Sequence, residues 1–238
     1  MRKIFFALIL SFFFMHPVFG TESLSKYQEE CLAFISRPKV ELFSSYGKLR
    51  YRFDKDEEFL KKETKKKFAE QNEDFDDSIS PIGLTKVRDV FDFNFTVGTL
   101  NLSQGYKCIY PDTISARLEY SMPTIYILNS LDKDSCYYNL ALRHEKTHMQ
   151  IYIEALDYFL PKLKQSMDKL FERIGFLVIS KDESEEEAAK RLNESYLAVI
   201  QAEVSAWQKE TAVEQLKLDT PEHYIIENSI CDNINASN

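Results

Sequence analysis

Residues 144 to 148 read His144-Glu145-Lys146-Thr147-His148. On a helix, side chains four apart project from one face, so the two imidazoles can close on a single divalent ion. Glu145 is then left beside the coordination position that a water would occupy, as a carboxylate able to take its proton. Zinc suits these donors and activates water near neutral pH. The chain holds only 4 histidines. His16 lies in the N-terminal apolar segment, so His144, His148 and His223 are all that remain beyond it. Two of those three at this spacing, flanking a glutamate, read as a metal site rather than as separate core histidines. No serine or cysteine nucleophile motif, phosphate loop or nucleotide fingerprint competes with them.

The pair requires a helix, and the hydropathy pattern supplies one. From Ser135 onward Leu140, Ala141, Thr147, Ile151, Tyr152, Ala155 and Phe159 recur at helical spacing, with His144 and His148 in the same stripe. Pro161 is expected to interrupt or restart this helix, and Gly175 to stop the next one. Ser184 with Glu187 forms a capping box that opens a long helix to about Leu216. Upstream the period is two. Leu49, Tyr51 and Phe53 share one face; Phe91, Phe93, Phe95 and Val97 share another; Ile114, Ala116, Leu118 and Tyr120 a third. A further short strand is expected over Thr124 to Leu128, after Pro123. A short helix is expected over residues 24 to 36, and a solvated helix or excursion over the charged stretch Lys55 to Asp77. Sheet over residues 37–130 followed by helices over 135–217 is an α+β pattern, with a mainly antiparallel sheet in the first half.

The N-terminus reads as a secretory signal peptide. Arg2 and Lys3 precede an apolar run from Ile4 to Met15, and Val18-Phe19-Gly20 offers a cleavage site near Gly20. The run is too short to span a bilayer, so a single soluble domain over residues 21–238, secreted or periplasmic, is expected. The net charge of −8 becomes more negative once Arg2 and Lys3 are removed. Such a chain has no broad electrostatic attraction for nucleic acid, and no membrane insertion is expected after cleavage. The 4 cysteines suit two disulfides in an oxidising compartment, for which Cys108–Cys136 and Cys31–Cys231 are the expected pairs.

By the HExxH run His144–His148 on a helix that follows a sheet, the chain resembles the zincin metallopeptidases, and within them small exported bacterial proteins of the same motif, many without an assigned substrate. The resemblance implies that His144 and His148 are zinc ligands and that Glu145 is the general base. A Gly three positions and a His six positions after His148 would mark the metzincin branch, but Ile151 and Glu154 stand there. The gluzincin branch takes a glutamate from a later helix as third ligand. Glu203 is the candidate: it lies within the stripe Ala189, Leu192, Tyr196, Val199, Ala206 and Val213, where a carboxylate needs a neutralising partner. Glu194 and His223 remain alternatives. Gluzincins also place a downstream His or Tyr near the zinc, so His223 is expected to donate to the oxyanion of the intermediate, with Asp219 orienting its ring in a turn. A zinc-dependent peptidase acting on peptide or protein substrates is thus the leading expectation, with the substrate added as a strand beside Ile114–Tyr120 or Thr124–Leu128. The competing classes are a non-catalytic binding domain on a zincin-like scaffold and a disulfide-stabilised interaction domain with no metal. Glu145 argues against the former, since a structural ion has no use for a base.

Overall fold

A computed structural model describes residues 21–70, 73–77 and 79–236. The leader expected over residues 1–20 lies outside the described residues. The chain runs α1 (Thr21–Phe34), β1 (Lys39–Ser45), β2 (Arg50–Lys55), α2 (Glu57–Glu70), β3 (Gly83–Asn101), β4 (Lys107–Leu128), α3 (Cys136–Ile174), β5 (Leu177–Ile179), α4 (Glu185–Leu218) and α5 (Pro221–Ala236). Its class is α+β, with the sheet mostly in the first half and the helices mostly in the second.

Strand β4 is the axis. β3 lies antiparallel along its whole length, and the other side of β4 is shared end to end by β5, β1 and β2. β1 and β2 run parallel to β4, so the sheet is mixed and not mainly antiparallel. Period-two alternation reports which face a side chain takes but carries no sign of strand direction. The segments expected as two strands, Ile114–Tyr120 and Thr124–Leu128, belong to this one strand. Pro123 is tolerated because it sits where the ladder is already broken: the β3 register slips between Lys86 and Arg88, β1 pairing ends at Glu119, and β2 pairing begins at Thr124. Pro111 likewise lies at the second slip, opposite Val97.

One face of the sheet is covered by α3 and α4. Ile114, Ala116, Leu118 and Tyr120 of β4 meet Leu156, Leu163, Met167 and Leu170 of α3 and Leu192, Tyr196, Ile200 and Val204 of α4 in one core. Each large aliphatic side chain taken wholly out of water there contributes roughly 1.5–3 kcal/mol. Trp207 stacks on Phe159 at 5.1 Å and donates its indole N–H to the Ala155 carbonyl at 3.1 Å, which locks α4 against α3.

Ser135 caps α3, its hydroxyl accepting from the Tyr138 amide at 3.1 Å. The helix then continues for 39 residues through Pro161. Pro161 does not interrupt it because the residue lies on the exposed side, where the freed carbonyl meets water, while Leu163, Met167 and Leu170 hold the rest of the helix in the core. Gly175, at φ 72°, ends it as expected. Ser184 caps α4 through the Glu187 amide, also as expected. The disulfides pair otherwise than expected: Cys31 with Cys108, and Cys136 with Cys231. Cys108 opens β4 beside α1, whereas Cys136 is a full strand and a loop away, at the start of α3 against α5.

Candidate metal centre

His144 and His148 lie one turn apart on the buried side of α3 and their Nε2 atoms approach to 3.1 Å. The third group between them is Asp219, whose Oδ1 is 3.0 Å from His148 Nε2 and 3.3 Å from His144 Nε2. Donors bound to zinc at 2.0–2.1 Å in a tetrahedron stand about 3.3 Å apart. The three atoms therefore already have the spacing of one face of such a site, and all three residues are at least half-buried.

The partners of the outer ring nitrogens settle which nitrogen is free. His144 Nδ1 is 2.8 Å from Glu227 Oε2, an acceptor, so the proton is on Nδ1. His148 Nδ1 meets Gln215 Oε1, and the amide orientation of Gln215 is set because its Nε2 donates to the His148 carbonyl at 3.0 Å. Each ring in its neutral form thus aims an Nε2 lone pair at the same point as a carboxylate oxygen. Three acceptors converging in a buried place repel one another unless a cation joins them. Without an ion, protons must serve instead. Burial pushes His144 down, but the hydrogen bonds to Asp219 and Glu227 and the charges of Glu145 and Asp219 outweigh it and raise it above the ordinary histidine range. Asp219 is pushed up by burial and held far below the usual carboxylate range by His144, His148 and Lys67.

Further groups fasten Asp219. Lys67 of α2 reaches its Oδ2 at 3.0 Å, and the Tyr224 hydroxyl donates to its Oδ1 at 2.9 Å. Burial and the Asp219 charge raise Tyr224 far above the ordinary phenol range, so it stays a proton donor. Its ring stacks on His144 at 5.2 Å.

Glu145 lies against the start of β3 and lines the same cleft as His144. Its backbone carbonyl accepts from Thr85 Oγ1 at 2.8 Å. Its Oε2 is buried with no hydrogen-bond partner among the described residues. Gly83 makes room for this carboxylate: a Cβ there would stand 2.6 Å from Glu145 Oε1. Beside it opens a cleft of about 470 Å³, bordered by His144, Glu145, Tyr224 and Glu227. Ile79, Pro81, Ile82, Leu140, Ala141 and Ile225 form most of its apolar wall.

The structure brings together His144, Glu145 and His148 but does not bring Glu203 to them. Ser166 donates to Glu203 Oε1, and Ser166 lies 18 positions beyond His148 on α3, roughly 27 Å along the helix. The buried stripe of α4 is Ala188, Leu192, Tyr196, Ile200, Val204, Trp207, Thr211 and Gln215, and Glu203 only flanks it, satisfied by a hydroxyl and partial solvent. Glu194 is exposed on the far side, near Lys190. His223 is not in a turn but in the first turn of α5, its amide bonded to Thr220 Oγ1 at 3.2 Å and its ring 6.0 Å from that of His144. Glu227 and not Asp219 stands beside it, 3.5 Å from its Nε2, and His144, His223 and Glu227 are close enough together to hold an ion. Ile114–Tyr120 and Thr124–Leu128 are no free edge either, since β4 is paired on both sides.

Gln215, Tyr224, Glu227 and Lys67 escaped the sequence reading, and Asp219 entered it only as a partner for His223, not as a ligand. A signal for two of them was present: steps of four from Leu192 through Ile200 to Val204, then three to Trp207 and four onward, pass through Gln215 and end on Asp219. Comparison of the chain with protein families, curated proteins and solved structures gave no match.

Proposed function

We propose that this chain is an exported zinc-dependent hydrolase acting on peptide or protein substrates. The observation that carries the reading is the convergence of His144 Nε2, His148 Nε2 and Asp219 Oδ1 within 3.3 Å, both rings held by their outer nitrogens. Zinc held by those three residues would supply a Lewis acid that polarises a substrate carbonyl and activates water. Glu145 is the general base: its unpartnered Oε2 takes the water proton and later returns it to the leaving amine. Tyr224 donates from its hydroxyl to the developing oxyanion by turning from Asp219. It borders the cleft, whereas His223 is not among the cleft-lining residues. Lys67 then keeps the Asp219 charge neutralised. The apolar wall excludes water and receives a substrate side chain.

The space that Gly83 leaves for the Glu145 carboxylate supports catalysis over simple metal storage, because a structural ion needs no such group. The test uses residues 21–238 purified from an oxidising compartment. The parent should hold one zinc per chain and cleave a fluorescein-labelled unfolded protein. Glu145→Gln should keep the zinc and lose 10²–10⁴-fold in rate. A zinc-free parent after reconstitution, or a Glu145→Gln variant as fast as the parent, overturns the proposal.

A further inference from the structure

Helix α5 supplies two side chains, Tyr224 and Glu227, to the metal centre yet has little of its own to hold it there. Among the described residues it packs chiefly against α3, and a 16-residue helix is marginal in isolation. Ile225, Ile226 and Ile230 on it remain exposed. One end continues from α4 through Asp219 and Thr220. The other is tied by Cys231 to Cys136, the first residue of α3, eight positions before His144. Glu227, which fixes the His144 ring at 2.8 Å, lies one turn before Cys231. The disulfide thus bonds the base of the metal helix to the helix that orients its first ligand.

We infer that Cys136 and Cys231 are positioning residues for the metal centre, and that the site reaches full metal affinity only in the disulfide-bonded chain. The inference rests on the metal-site reading above. In the reduced chain α5 is free to leave α3. Glu227 then no longer fixes His144, Tyr224 no longer braces Asp219, and one wall of the cleft opens. Asp219 itself stays near, as the cap of α4 held by Lys67, so binding is weakened and not abolished. The chemistry is an exchange of two electrons. Two thiols at 136 and 231 give two protons and two electrons to a disulfide donor, which becomes a dithiol; an external dithiol reverses the step and is itself oxidised. Cys31–Cys108 joins α1 to β4, away from the site, and serves as the control.

Zinc affinity is measured by competition with a chromophoric chelator. Cys136→Ser/Cys231→Ser should weaken binding 10–100-fold, the range seen when a ligand's hydrogen-bond partner is lost. Cys31→Ser/Cys108→Ser should change it less than twofold. Glu227→Ala should match the first pair, and combining it with that pair should add little, because both remove the same constraint. A purely structural role would give independent, multiplying losses. Should the serine pair fail to fold, the native zinc protein is titrated with a dithiol. Cys136 is half-buried while Cys31, Cys108 and Cys231 are fully buried, so the Cys136–Cys231 bond is the one a reductant reaches first. Zinc release should rise as the first two thiols appear, with helical circular dichroism retained. Unchanged affinity in the serine pair, multiplying effects with Glu227→Ala, or two thiols freed without faster zinc release overturns the inference. A parent that binds no zinc in the oxidised state instead overturns the metal-site reading itself.

Discussion

Gly83→Ala isolates the placement of the base from the binding of the metal. A Cβ built on Gly83 stands 2.6 Å from Glu145 Oε1, 2.7 Å from its Cγ and 3.0 Å from its Cδ, where ordinary contact begins at 3.4 Å. The carboxylate must retreat by about 0.8 Å, and because Cγ is struck as well, the side chain must change rotamer and not merely tilt its tip. The strand is not free to yield in its place. Gly83 pairs with Ile127, the Leu128 amide donates to the Ile82 carbonyl at 2.9 Å, and Thr85 holds the Glu145 carbonyl. Displacement of a reacting group by this amount costs on the order of 10²-fold in rate, about 2.7 kcal/mol in the barrier. Gly83 has no positive φ, so alanine brings no backbone strain. The expected variant melts near the parent temperature, carries one zinc per chain, and cleaves the labelled protein ~100-fold more slowly, within the loss set by Glu145→Gln. Activity within threefold of the parent at full zinc content would refute the reasoning, as would loss of zinc in step with activity.

Asp219→Asn should lower zinc affinity more than ~100-fold, because a ligand is weakened and Lys67 is left unpaired; Glu203→Gln should leave it within about twofold, and equilibrium competition distinguishes them. The pH dependence of stability should differ between the two forms. In the metal-free chain the raised His144 contributes stability below its ordinary value of 6.5 that is lost as pH rises through its folded value. Zinc needs both rings deprotonated, so the gain in melting temperature on adding zinc should grow from pH 5.5 to 8, and a gain constant over that range would contradict the site. The depressed Asp219 contributes stability above its ordinary value of 3.8 and loses it as pH falls, so the metal-free chain should also weaken in acid below that value. Leu163→Ala, fully buried between α3 and the sheet, should cost 2–5 kcal/mol in denaturant unfolding without changing zinc stoichiometry.

Local chemistry was legible wherever the cause was local. The HExxH spacing, the Ser184 cap, the Gly175 stop, the switch from period two to period 3.6 and the division into sheet and helices all follow from residues within a few turns of one another, and those elements are present. What the sequence could not reveal is what distant segments do when they meet. The alternation in β1 and β2 is silent on direction, so their parallel pairing with β4 was out of reach. Four cysteines permit three pairings, and only the placement of α1 beside β4 and of α5 beside α3 selects between them. The stripe on α4 was read one residue out of phase, which brought Glu203 forward and hid Gln215 and Asp219. Asp219 becomes a candidate ligand only because α4 is long enough to carry its cap to the histidines. There Lys67 from a charged helix, 152 positions from Asp219, and Tyr224 and Glu227 from the last helix close around it. A side chain's chemistry is written in its type; the company it keeps is decided by which surfaces the fold buries together.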